Sequence, residues 1–120
     1  MNRQKELKLA YKLNPPPAGI FQIKNHHNGK IFIGSTMNLP GKRNSAFFQL
    51  KQKVHFNKEL QADWNAFGAS AFTFDILEVM KREDIPQAEW KEALSALEEK
   101  WLSMQQPCED KGYNKPSKKN

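Results

Sequence analysis

Apolar and polar residues alternate along Gly19-Ile20-Phe21-Gln22-Ile23-Lys24-Asn25, and a second short apolar run follows at Lys30-Ile31-Phe32-Ile33-Gly34. A period of two marks strands, and Asn28-Gly29 between the runs is a strong hairpin signal. A two-residue turn there pairs Ile23 with Gly34 and Asn25 with Phe32. It sets Phe21, Ile23, Phe32 and Gly34 on one face of the sheet.

Beyond Gly34 the period lengthens. Pro40 and Gly41 open a stretch in which Arg43, Phe47, Leu50 and Val54 recur at helical spacing, so Arg43 falls on the apolar stripe. Asn57 then reads as the N-cap of a second helix carrying Phe56, Leu60, Trp64 and Phe67 and closing at Gly68. The two helices are expected to pack as a hairpin. Alternation returns at Phe72–Val79, a third strand with Phe72, Phe74 and Ile76 on one face. Asp84 and Gln87 form a capping-box pattern around Pro86, ahead of a long helix with the stripe Trp90, Leu94, Leu97, Trp101 and Met104. Upstream, Leu7, Leu9, Tyr11 and Leu13 suggest a short helix stopped by Pro15-Pro16-Pro17. The tail from Pro107 is loop-like, with Tyr113 as its apolar anchor.

This order predicts an α+β fold, a small three-stranded antiparallel sheet flanked by helices. It divides into an N-terminal helix and linker (1–17), one domain (18–115) and a basic tail (116–120).

Composition narrows the class. At 120 residues, with 38% hydrophobic residues and 11% aromatics, the chain suits one folded domain with an aromatic core. Cys108 is the single cysteine, which excludes an internal disulfide and, with no Cys/His spacing of the kind, a zinc site. A cytoplasmic setting is the default expectation. No apolar run reaches the roughly 18 residues that span a bilayer, so no membrane partner is expected. Lys and Arg outnumber Asp and Glu by 19 to 13, a net charge of +6, which suits a polyanion such as nucleic acid.

Six short landmarks then fall in order: Gly19-Ile20-Phe21; Phe32-Ile33-Gly34-Ser35; Arg43 on a helix; His55-x-x-Lys58-x-Leu60-Gln61 with Trp64-Asn65-x-x-Gly68; Phe74-x-Ile76-Leu77-Glu78; and Glu98-x-x-Trp101-Leu102 followed by Tyr113-Asn114. Together they resemble the GIY-YIG nuclease family, with phenylalanine at both signature tyrosine positions, Phe21 and Phe32.

The resemblance implies a DNA endonuclease-like phosphodiesterase in which Glu98 holds one divalent ion, Mg2+ or Mn2+, on the phosphate. Helix geometry supports Glu98 over its neighbour, since at 100° per residue it lies about 80° from the stripe centre and Glu99 about 180°. By the same resemblance Arg43 would stabilise transition-state charge, a role that suits a guanidinium fork. His55 would position water or contact phosphate, and Asn114 would orient the phosphate region. Ser35, Lys42 and Lys58 stand beside these landmarks as candidate substrate contacts. His26 and His27 sit on the hairpin tip, where loop residues rather than ligands are expected.

The family tyrosines supply a general base and align the attacking water, and Phe21 and Phe32 have no oxygen with which to do either. Phe47 likewise fills a position that often holds histidine. General base help is worth about 10²–10⁴-fold, so hydrolysis is expected to be slowed. A silent nucleic-acid-binding module and a structural or interaction protein are the two other readings compatible with the same residues.

Overall fold

The hairpin loop is built by two asparagines. In the computed structural model, which describes residues 16–106 and 111–114, the Asn25 carboxamide accepts the His27 N–H and the Asn28 carboxamide accepts the Lys30 N–H, both at 2.9 Å. Five residues, His26 to Lys30, therefore join the strands, with Gly29 at φ 79°. Strand β1 (Gly19–Asn25) pairs with β2 (Ile31–Thr36) so that Phe21 faces Gly34 and Ile23 faces Phe32. This differs from the two-residue turn that the sequence suggests, because side-chain bonds to the loop N–H groups stabilise the longer connection. The slip is by two residues, so the period-2 rule keeps Phe21, Ile23, Phe32 and Gly34 on one face.

Strand β3 (Phe72–Val79) pairs antiparallel with β1, giving the sheet order β2-β1-β3. A Cβ on Gly19 would lie 2.1 Å from the Glu78 carbonyl oxygen, so this close approach of backbones requires glycine. The register shifts at Ile20/Phe21, leaving Leu77 as the extra residue between partners Ile76 and Glu78. Phe72 and Phe74 enter the core, whereas Ile76 is left exposed.

Each face of the sheet has its own cover. Phe21, Ile23, Phe32 and Phe72 pack against Leu39, Ala46 and Leu50 of α1 (Leu39–Lys51) and Leu60 and Trp64 of α2 (Lys58–Phe67). On the opposite face Ile20, Ile31 and Ile33 meet Met80, Leu94 and the half-buried Trp90, Leu97 and Trp101 of α3 (Trp90–Gln105). Each such side chain contributes roughly 1.5–3 kcal/mol on burial. The α+β class and the three-stranded antiparallel sheet follow the sequence reading.

The helices depart from expectation in three places. Helix α1 buries Leu39, Ala46 and Leu50, and Arg43 shares their i, i+4, i+7, i+11 spacing, yet its side chain is exposed. It ends at Lys51, before Lys53 takes a positive φ of 64°, and Val54 is exposed beyond it. Helix α2 is capped by Asn57 as expected, but Phe56 lies outside it and points to solvent, 68% exposed. Helix α3 starts at Trp90, not near Asp84, because Pro86 at ψ 141° interrupts the segment and leaves two 3-10 turns, Arg82–Asp84 and Gln87–Glu89. No capping bond from Asp84 forms; the Trp90 indole instead donates to the Ile85 carbonyl at 2.9 Å.

Gln61 ties the helical hairpin together, its amide donating to the Leu50 carbonyl and its oxygen accepting the His55 N–H, each at 3.0 Å. No helix among the described residues is long and apolar enough to cross a membrane. The expected N-terminal helix, Cys108 and the basic tail lie outside the described residues.

Candidate active site

Strand β2 lies at the sheet edge, and its side chains alternate between the two covers. Phe32 and Gly34 face α1 and α2, while Ser35 faces α3. A cleft of about 720 Å³ opens here and is reached from both sides: Phe21, Phe32, Gly34 and Ser35 come from the hairpin, Lys42 from α1, Lys58 from α2 and Glu98 from α3. Phe56, Asn57, Glu59 and Asn114 complete the wall that concerns the chemistry.

Glu98 is half-buried, and the Ser35 hydroxyl donates to its Oε1 at 2.5 Å. Glu99, the next residue, is exposed, as helix geometry requires. Helix α3 is pinned one turn away: the Trp101 indole donates to Glu78 Oε1 and Lys100 pairs with the same oxygen, each at 2.8 Å. The Lys100 bond, and then the Trp101 bond, hold the Glu78 carboxyl below the usual carboxylate range.

No group of three or more His, Cys, Asp or Glu among the described residues could hold a metal ion. A zinc-type cage is thus not what this site offers. One carboxylate beside room for a phosphate fits a hard cation such as Mg2+, which keeps several waters and takes one or two carboxylates plus substrate oxygens. Ser35 occupies one Glu98 oxygen and fixes the orientation of the carboxylate.

Phe21 is 1% exposed, stacks on Phe74 with centroids 4.9 Å apart, and stands 6.3 Å from Phe32. A Cβ on Gly34 would lie 2.6 Å from Phe21 Cζ, the carbon to which a tyrosine hydroxyl attaches. Glycine at 34 is what lets the ring lie flat against β2. Both rings belong at once to the core and to the cleft wall.

His55 is buried behind Phe32 and Phe56, its ring edge-on to Phe32 and stacked on Phe56. Burial, and after it the Lys42 charge, lower its pKa. Its Nδ1 accepts the Asn57 N–H at 3.1 Å, so the neutral ring carries its proton on Nε2. That tautomer makes His55 a hydrogen-bond donor rather than a base. Asn114 clamps β2, its oxygen accepting the Ile33 N–H and its amide donating to the Ile33 carbonyl, both at 2.8 Å.

Arg43 is not part of the cleft wall. Its guanidinium carbon stands 5.7 Å from the centroid of the Phe47 ring, and exposure to water removes the need for a buried anionic partner. Lys42, one residue earlier, is the α1 cation that enters the cleft. Ser35, Lys42, Lys58, Glu98, Asn114, Phe21 and Phe32 are thus brought together, and Arg43 and His55 flank them. His26 and His27 stay at the hairpin tip, on Thr73 and against Phe67. Phe56 was hidden from sequence reasoning because the same spacing places it on the stripe of α2.

The GIY-YIG catalytic domain family matches residues 17–114 of the chain. Two solved structures of one relative align well: the catalytic domain of the homing endonuclease I-TevI, at 30% identity and TM-score 0.66 over 81% of this chain and 96% of that one, and a glutamate-to-alanine variant of that intron endonuclease domain, at 28% identity and TM-score 0.67 over 82% and 92%. Comparison with curated proteins finds no match. With the family match covering most of the chain and the sheet and helices in agreement, this protein belongs to the GIY-YIG catalytic domain family.

Proposed function

We propose that the protein hydrolyses nucleic-acid phosphodiester bonds as a DNA endonuclease dependent on one divalent ion, Mg2+ or Mn2+, at a rate limited by Phe21 and Phe32. The observation that carries this reading is the convergence of Glu98, fixed by Ser35, with Lys42 and Lys58 on one cleft floored by the two phenylalanines. The lysines attract the phosphate and hold it as point charges. Glu98 would hold the ion, which when bound supplies neutralisation of the phosphoryl charge. Asn114 keeps Ile33, and with it the β2 edge, in place. His55 offers an Nε2–H behind the wall. Arg43, exposed next to Lys42, would reach a phosphoryl oxygen from outside the cleft wall. Among the described residues no free tyrosine hydroxyl stands in the wall to take a proton from water, because the Tyr113 hydroxyl donates to Asp63 at 2.7 Å and accepts from Asn25 at 3.1 Å.

That missing acceptor also favours a second reading, binding without hydrolysis. Incubating the protein with labelled duplex and branched DNA, with Mg2+, Mn2+ or EDTA, beside Glu98→Ala, separates the two. Metal-dependent cleavage lost in Glu98→Ala supports the nuclease. Salt-sensitive binding with no cleavage of any substrate supports the silent module.

A further inference from the structure

The Phe56 side chain is 68% exposed, yet it is not a stray surface ring. It belongs to the wall of the cleft that holds Glu98, between Lys42 and Lys58. Its orientation is fixed from behind: the His55 ring lies against it at 4.7 Å and 24°, and Phe32 meets it at 5.7 Å and 68°. His55 is itself held in place, its Nδ1 accepting the Asn57 N–H and its backbone N–H donating to the Gln61 side-chain oxygen. One face of Phe56 is therefore covered by a rigid neutral imidazole, and the 68% exposure belongs to the rest of the ring. A single exposed apolar side chain is ordinary on a surface. A ring pre-stacked on one face, beside two lysines in a cleft with room for more than a phosphate, is what a flat apolar group with an attached anion would complete.

We propose that Phe56 is a stacking platform for a nucleobase next to the phosphate held in the cleft, so that the site takes DNA with an unpaired base, single-stranded, bulged or extruded, in preference to continuous duplex. The inference rests on the nucleic-acid reading above but not on hydrolysis. Each base in an intact duplex is already stacked on its neighbours, and only an unstacked one can offer a face to Phe56. Lys42 and Lys58 contribute attraction to the backbone that does not discriminate between these forms. Phe56 contributes the discrimination.

The test is equilibrium binding of the full chain, with EDTA present to prevent cleavage, to single-stranded, single-base-bulged and fully paired DNA carrying 2-aminopurine at successive positions. Phe56→Ala is expected to weaken binding of the single-stranded and bulged forms by about 5- to 150-fold, the range for loss of one base–aromatic stack, and of the paired form by less than about twofold. One 2-aminopurine position should be quenched by the unaltered protein and recover its emission in Phe56→Ala. Phe56→Trp should restore both, which separates stacking from a folding defect. Equal weakening of all three forms, no weakening, or no recovery in Phe56→Trp would overturn the proposal. Metal-dependent cleavage in a parallel assay with Mg2+ in place of EDTA, together with binding indifferent to Phe56, would overturn it while leaving the nuclease reading intact. Phe56-dependent binding without cleavage would support it while removing hydrolysis.

Discussion

Tyr113 and the Phe21–Phe32 pair line the same cleft, and they treat the phenolic hydroxyl in opposite ways. Tyr113 has the group and uses it structurally: it bridges Asp63 and Asn25, and burial together with the Asp63 bond raises its pKa above the ordinary tyrosine value. Asn57 adds a third tie, its amide donating to the Tyr113 carbonyl at 2.8 Å. Phe21 and Phe32 lack the group, and the fold loses nothing by it, because ring burial and stacking on Phe74 need no oxygen. The contrast teaches that in this cleft the hydroxyl at 113 serves stability, whereas the fold does without a hydroxyl at 21 or 32.

Three perturbations separate the two sides of that contrast. The largest is Glu98→Ala, which is expected to lower metal-dependent cleavage by about 10²-fold or more, since charge stabilisation by a metal ion is worth several kcal/mol. Thermal unfolding should change little, because Glu98 is only half-buried and its one bond is to Ser35. Tyr113→Phe should do the reverse. It leaves the buried Asn25 amide and Asp63 short of a partner, at a cost of about 1–3 kcal/mol, measurable by urea titration. Cleavage per folded molecule should be unchanged.

The smallest effect concerns pH. Folding lowers the His55 pKa from its ordinary value of 6.5, chiefly by burial, so the unfolded chain binds more protons between the two values. The stability contributed by neutral His55 is complete above about 6.5 and falls as pH drops through the folded value. His55→Gln should flatten the decline in unfolding free energy seen below that pH. An unchanged slope would show that His55 is not desolvated in this way.

The elements and the site were legible to different depths. Strict alternation in β1 and β3 and the glycine landmarks sufficed for the sheet, and a two-residue error in hairpin register did no harm because it preserved the face of every side chain. Helix phase was less readable. Arg43 and Phe47 suggested a stripe, but Ala46, small and unremarkable in sequence, is what fits against the sheet. Glu98, Ser35 and Asn114 were found through the landmarks, and geometry then gave them partners. Phe56 was not legible as a cleft residue, since its spacing matches α2 while the Asn57 cap starts that helix one residue too late to include it.

The most direct test of the account is the single-turnover cleavage rate of Phe21→Tyr combined with Phe32→Tyr, measured with Mg2+ on the best DNA substrate of the unaltered protein. With Phe21 Cζ against Gly34 in the cleft wall, restored hydroxyls are expected to raise the rate by about 10²-fold, the lower end of what general base assistance supplies. A folded double variant that cleaves no faster than the unaltered protein would contradict the claim that these two rings line an attenuated reaction centre.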